Sequence, residues 1–404
     1  MSRAFTLLEP GTMALEDGAR VDFARMRRER LERCLAEMER HDVDALVLHR
    51  EGNARYVSGA RRLWRAVVTA FTPSCVVVRA TGQVHLMSTW DDGIPAEIPN
   101  QNLYGLSWNP RNYVAALQAV DGLADARRLG VDGMSALFSG MLPAVAPNAT
   151  LVDGERVMRA ARMVKTPDEL GCIRTAVAIA EGAMSDTLDA IEPGVPERDL
   201  VAAFQQRMTD FGVTTPATEG TFCATPREQP AGANPAIAPL RQIVFDRPVR
   251  AGELIACSAG VLYAGYEGAV GRTWPCLGPG ATVTDGQRAL HDRAHTVLDA
   301  LAAQCHAGRT TADLRQAARA TGEPLPPVPL AHGVGLGVEA PLVGGALGPE
   351  LPAEEPLVPG MVLALTAYAW EPGVGGYLGR EMVAITDAEP ERLTRLWHGP
   401  LARD

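Results

Sequence analysis

The chain has 404 residues, 47% of them hydrophobic, with 40 glycines and 30 prolines, enough for one large or two medium domains with a sizeable core. A net charge of −10 and a pI of about 5.4 exclude the basic footprint of a nucleic-acid or anionic-membrane binder. No apolar run approaches a membrane span, MSRAFTLLEPG lacks a signal-peptide core, and the seven cysteines are scattered without a Cys-x-x-Cys pair, so a soluble, cytoplasmic protein with reduced thiols is expected.

Residues 1–20 read as an irregular arm. Arg25 to His41 has the period of a charged amphipathic helix, with Met26, Leu31, Cys34, Leu35 and Met38 on one side. VDALVLH at 43–49 is a β-like apolar run. Residues 74–79 and 84–88, parted by a Thr-Gly-Gln turn, read as a strand pair. RLGV at 128–131 is another short strand, and 135–145 reads as a helix. This alternation predicts an α/β domain, taken as residues 1–155.

A charged helical stretch at 153–178 leads into a second domain, residues 156–404. Thr166-Pro-Asp-Glu supplies an N-cap, a proline at the first helical position and an acidic first turn for a helix ending at Glu192-Pro-Gly. Further helices are predicted over 197–210, 284–305 and 311–321, and strand-like patterns over 221–273 and 362–385. Helix pairs preceding strands, twice over, suit a pseudo-symmetric two-lobed α/β domain.

Three segments carry the most specific signal: GELIACSAGVLYAGYEGAVGRTW at 252–274, AHGVGLGVEAP at 331–341 and LVPGMVLALTAYAWEPGVGGYLGREMVAIT at 357–386. In order and spacing they resemble the metal-binding half of the pita-bread peptidases, which include Xaa-Pro aminopeptidases, prolidases, methionine aminopeptidases and creatinases. DALVLHREGNARYVSG resembles the N-terminal domain of the creatinase and prolidase type, with Asn53, Tyr56 and Gly59 at its Asn–Tyr–Gly positions. The resemblance implies a mixed α/β fold (α+β): a C-terminal pita-bread domain behind an N-terminal creatinase-type α/β domain. It also implies a homodimer in which the N-terminal domain of one subunit reaches the active site of the other.

In the peptidases of this family two Asp, one His and two Glu hold two divalent cations. Hard cations need such anionic oxygens. With Gly265-Tyr266 and Arg272-Thr273 fixing the frame, the two Asp positions hold Ser258 and Ala269. The metal-binding His is kept as His332. The first Glu position holds Thr366. The last holds Arg380, with Glu381 one place further on. One His and one Glu do not make a two-metal site, so no metal and no other cofactor is expected. Four carboxylates without cations would repel one another and raise each other's pKa values, so their joint loss is self-consistent. Creatinase works without metal, using a His before an Asn-Pro pair and a Glu before the Arg-Thr pair. Here Ala233 precedes Asn234-Pro235, and Gly271 precedes Arg272.

His332 is the remaining candidate acid or base, its alternative being a relic held by neighbouring carbonyls. Glu339 stands where the peptidases carry a second His, by replacement or by a one-residue deletion. Glu339 and Glu381 are candidates to orient or charge His332; for both the alternative is a plain surface or ion-pair role. Ser258, Thr366 and Arg380 are expected to face the pocket. Glu267 should share the face of Ala269 by strand alternation, and Tyr266 is a further candidate contact. Cys257 is expected in the core, whereas Cys223 is a candidate pocket thiol. Arg61, Trp64 and Arg65 in SGARRLWRA suit carboxylate pairing and cation stacking; a solvated basic turn is the alternative.

These residues point to a metal-independent, creatinase-like enzyme acting on a small amino-acid-like or carboxylate-bearing molecule, by C–N hydrolysis, elimination or rearrangement. A catalytically inactive pseudo-peptidase used for binding is the alternative from another class. A metal-dependent Xaa-Pro aminopeptidase or dipeptidase is a third reading, which the ligand positions argue against.

Overall fold

A computed structural model describes residues 21–60, 74–87, 93–105, 110–346 and 354–396. The arm read at 1–20 and the Arg61, Trp64 and Arg65 candidates lie outside them. The described chain divides into one unit of Val21–Asp168 and another from Glu169 onward.

In the N-terminal unit the first helix, α1 (Phe23–Arg40), starts where Asp22 accepts a hydrogen bond from the Arg25 amide at 2.9 Å. Met26, Cys34 and Met38 are buried on its inner face. A sheet of order β4-β3-β2-β1-β5-β6 forms the middle layer. It comprises β1 (Ala45–Leu48), β2 (Cys75–Val78), β3 (Gln83–Met87), β4 (Leu103–Tyr104), β5 (Arg128–Val131) and β6 (Thr150–Asp153). β1 runs antiparallel to β2 and parallel to β5, and β2 and β3 form the expected hairpin. Every residue of β1 and β2 is buried, as befits strands covered on both faces. One face packs Val76 and Val78 against Tyr113 and Leu117 of α3 (Pro110–Gln118) and Phe138 of α4 (Ala136–Met141). The helix expected to run to residue 145 stops early: Pro143 has no amide to continue it, and Leu142–Ala144 is a 3₁₀ turn.

The Asn–Tyr–Gly residues lie on or just after the short helix α2 (Glu51–Ser58), and they fasten it. Asn53 donates to Asp132 and Glu155, and Tyr56 donates to the Ala161 carbonyl at 2.7 Å. Gly59 caps the helix at φ 69°, where a Cβ would lie 2.3 Å from the Arg27 side chain.

The helical stretch read over 153–178 is two helices, α5 (Gly154–Met163) and α6 (Pro167–Asp189), the second starting at the proline after Thr166 as expected. Val164 is extended, and Pro167 keeps the residue before it out of the helical region.

In the C-terminal unit an antiparallel sheet has the order β11-β10-β12-β13-β9-β8-β7, with β14 (Glu391–Arg392) paired to β13. The strands are β7 (Thr221–Ala224), β8 (Leu254–Tyr263), β9 (Tyr266–Pro275), β10 (Ala331–Gly335), β11 (Gly337–Val343), β12 (Val362–Glu371) and β13 (Gly375–Ala384). β8 and β9 join through Ala264 and Gly265, both at positive φ, the two-residue turn whose twist matches a hairpin. The strand-like reading of 221–273 holds only at its ends. Prolines 226, 230, 235, 239 and 248 cannot donate to a ladder, and residues 225–253 run as an irregular segment.

Helices cover one face of this sheet. A Cβ on Gly268 would meet Ala176 and Val177 of α6 within 2.3 Å, and one on Gly379 would lie 2.8 Å from Leu298 of α8 (Asp285–Ala302). Phe204 of α7 (Glu197–Asp210) packs on Phe222 of β7 with ring centroids 5.4 Å apart. A ninth described helix, α9 (Thr311–Ala320), begins at a Thr310 capping box.

Candidate functional site

The ladder register decides which side chains share the face turned away from the helices. Ser258 pairs with Gly271, Gly271 with Arg380, and Arg380 with Thr366. These four positions form one row across β8, β9, β13 and β12. Next to it stand Ala269 on β9, Ala364 and Met382, and then His332 of β10, which pairs with Ala364. Because strand residues alternate between faces, Glu267 and Ala269 lie on this side with Gly271. The structure therefore assembles Ser258, Glu267, Thr366, Arg380 and His332 on one face.

Small side chains keep the floor of this row low. A Cβ on Gly271 would stand 2.7 Å from Arg380 Cβ, 3.0 Å from its amide nitrogen and 3.1 Å from Ser258 Oγ. Arg380 Nε makes a long hydrogen bond of 3.4 Å to Thr366 Oγ1 and forms no ion pair among the described residues. Ser258 Oγ is buried without a partner among them. Glu267 is only 5% exposed.

The charges here act on one another at a distance. Burial raises the Glu267 carboxyl above its ordinary range, with Arg380 opposing and the Glu339 charge adding to the shift. Burial lowers the Arg380 guanidinium, and Glu267 partly restores it. Burial, helped by the Arg380 charge, brings His332 down to about 4, so its imidazole is neutral at pH 7. Glu339 of β11 accepts the Leu336 amide at 3.0 Å, and its carboxylate lies against Gly335.

Two candidates face away from the row, and a third, Cys223, shares its face through its pairing with Ala256 but is tied to the irregular segment. Tyr266 is on the helix face of β9, and its hydroxyl donates to Glu169 at 2.7 Å, so it does not contact a ligand on the other face. Glu381 points opposite to its neighbour Arg380. It pairs with Arg392 at 3.1 Å and supports the buried Arg272 guanidinium, which rules it out as a partner of His332. Cys223 is fully buried, donates to the Arg241 carbonyl at 3.2 Å, and has its thiol pushed up by burial, the reverse of an activated nucleophile. Cys257 lies in the core.

Sequence reasoning missed the part played by the irregular segment. Tyr368 donates its hydroxyl to the Pro239 carbonyl at 2.6 Å. Ala238 and Leu240 pack on Ala256, Tyr368 and Leu378. These are the positions next along β8, β12 and β13 from Ser258, Thr366 and Arg380. The five prolines were a signal for a non-ladder segment, but not for where it would lie.

The donor set does not fit two divalent cations. The row offers two hydroxyls and a guanidinium, with the Ala269 methyl beside it, and a guanidinium repels metal ions. No cluster of three or more His, Cys, Asp or Glu among the described residues is arranged to hold one.

Residues 171–387 match the model of "Metallopeptidase family M24", and residues 30–164 match the "Creatinase/Prolidase N-terminal domain". The chain is 23% identical to an Xaa-Pro dipeptidase of Pyrococcus horikoshii over 91% of its own length and 97% of the relative's. It is 25% identical to a creatinase of a Bacillus species, covering 90% and 89% of the two chains. The crystal structure of the prolidase from Pyrococcus horikoshii superposes with a TM-score of 0.73 at 21% identity, over 92% of this chain and all of that one (100%). The architecture is thus a creatinase-like N-terminal domain followed by a pita-bread fold, and the chain belongs to metallopeptidase family M24.

Proposed function

We propose that the protein is a metal-independent enzyme of this family acting on a small, amino-acid-like molecule that bears a carboxylate. One observation carries the reading: the row built from Ser258, Gly271, Arg380 and Thr366 offers a partly buried guanidinium without an ion pair among the described residues. A guanidinium in that position recognises a carboxylate by paired hydrogen bonds. Glu267 and Glu339 offer the opposite charge for an ammonium or developing cation. A neutral His332 is in the form that accepts a proton, from water or from the substrate itself. The chemistry open to this set is C–N hydrolysis, elimination or rearrangement.

The test combines elemental analysis with turnover on a substrate identified by screening amino-acid derivatives. We expect no stoichiometric Mn, Co or Zn, and loss of turnover in His332→Ala with the fold retained. About two metal ions per chain, or unchanged turnover in that variant, would falsify the reading. Ala233 and Gly271, where creatinase has its catalytic His and Glu, favour a second reading as a binding protein without turnover. Ligand binding with no product formed would select it. The resemblance to creatinase also supports a homodimer, which sedimentation equilibrium tests directly.

A further inference from the structure

A partly buried guanidinium without an ion-pair partner is costly, and a ligand carboxylate relieves that cost. Arg380 has such a guanidinium, and the carboxylate that acts on it, Glu267, is not within ion-pair distance. Two hydroxyls flank it in the row. Thr366 Oγ1 already touches Arg380 Nε, and Ser258 Oγ is buried and unpaired among the described residues.

The space beyond this row is closed on one side. The next positions along the strands are Ala256, Leu378 and Tyr368, roughly 7 Å further on at two residues of strand rise. Ala238 and Leu240 pack directly on them. The segment is held at several points: Tyr368 to the Pro239 carbonyl, Trp370 Nε1 to the Pro226 carbonyl at 2.7 Å, and Arg241 and Arg247 to the buried Glu197 carboxylate. On the opposite side of the row lie Glu267 and His332.

We infer that Arg380, with Ser258 and Thr366, holds the terminal carboxylate of the ligand, and that Ala238 and Leu240 form an end wall that stops the molecule there. The inference rests on the proposed function and sharpens it. The ligand is a short molecule read from its acidic end, with its cationic or reacting part toward Glu267 and His332. Polypeptides continuing past that carboxylate are excluded, and Leu240 sets the limit of length.

Molecular rulers test this without knowledge of the substrate. β-Alanine, γ-aminobutyrate and ε-aminocaproate are titrated calorimetrically, at up to ~10 mM, into the full-length wild type, Arg380→Met, Leu240→Gly and Tyr368→Phe. In the wild type at least one shorter ruler binds, and ε-aminocaproate binds roughly tenfold or more weakly. Arg380→Met weakens every ruler by about tenfold or more. Leu240→Gly raises the ratio of long-ruler to short-ruler affinity several-fold, and Tyr368→Phe moves it in the same direction. Wild-type affinity in Arg380→Met overturns the carboxylate anchor. An unchanged ratio in both wall variants overturns the end wall while leaving the proposed function standing. No binding of any ruler to the wild type removes the substrate class, and with it both proposals.

Discussion

Gly271 leaves no room for even a methyl group. Its nearest neighbours are the amide and Cβ of Arg380, both fixed by the middle of a strand, so they cannot yield as a flexible side-chain tip would. Gly271→Ala is therefore expected to destabilise the protein by about 1–3 kcal/mol, read from urea unfolding at constant m-value. Wild-type stability in that variant would mean that β9 and β13 do not approach as described. The Arg380 charge also adds to the burial that lowers His332. Removing its positive charge in Arg380→Met should raise the His332 pKa from about 4 toward, but not to, the ordinary value, because burial is the larger cause and remains. An NMR titration of the His332 ring follows this directly, and a downward or absent shift would separate the two residues. What the sequence revealed at this scale was which residues to expect in the pocket, and Ser258, Thr366 and Arg380 do share one row. It did not reveal which way Tyr266 and Glu381 point. Each neighbours a residue on the binding face and so faces the helices, where Glu169 and Arg392 hold them.

Helices were legible where local chemistry marks their ends. α7 begins and ends at the expected residues, and α8 starts one residue after Thr284, whose side chain and Gln287 form a capping box. Thr284→Ala should cost about 1 kcal/mol, seen as a lowered urea midpoint, because it leaves the Gln287 amide without its acceptor at a helix packed on β12 and β13. A neutral effect would show that α8 is held by its buried Leu290, Ala294 and Leu298 face alone. α2 was not predicted, since eight residues carry little periodicity. Its existence depends on Asn53 and Tyr56 reaching partners about a hundred residues away in sequence. The 225–253 segment was misread for a related reason: apolar residues such as Leu240 imitate a strand, but they pack as a wall on one.

At the scale of the molecule, the family fold is retained around a row whose donors do not suit metal. Chelator treatment is accordingly expected to leave the melting temperature unchanged, whereas a structural or catalytic metal pair would contribute its binding energy to folding and lower it on removal. No described helix is long and apolar enough to cross a membrane. The order and spacing of the Gly-Tyr, Arg-Thr, His-Gly and Gly-Gly motifs determined the family and the two-part architecture, because such motifs mark turns and close approaches that are local in the chain. Only the tertiary structure decided which charges meet. Strand register and pleat place Arg380, Glu267 and His332 on one face and send Glu381 and Tyr266 to the other, and long-range packing brings Leu240 against Tyr368. Those outcomes depend on pairings between residues far apart in sequence, which no local pattern encodes.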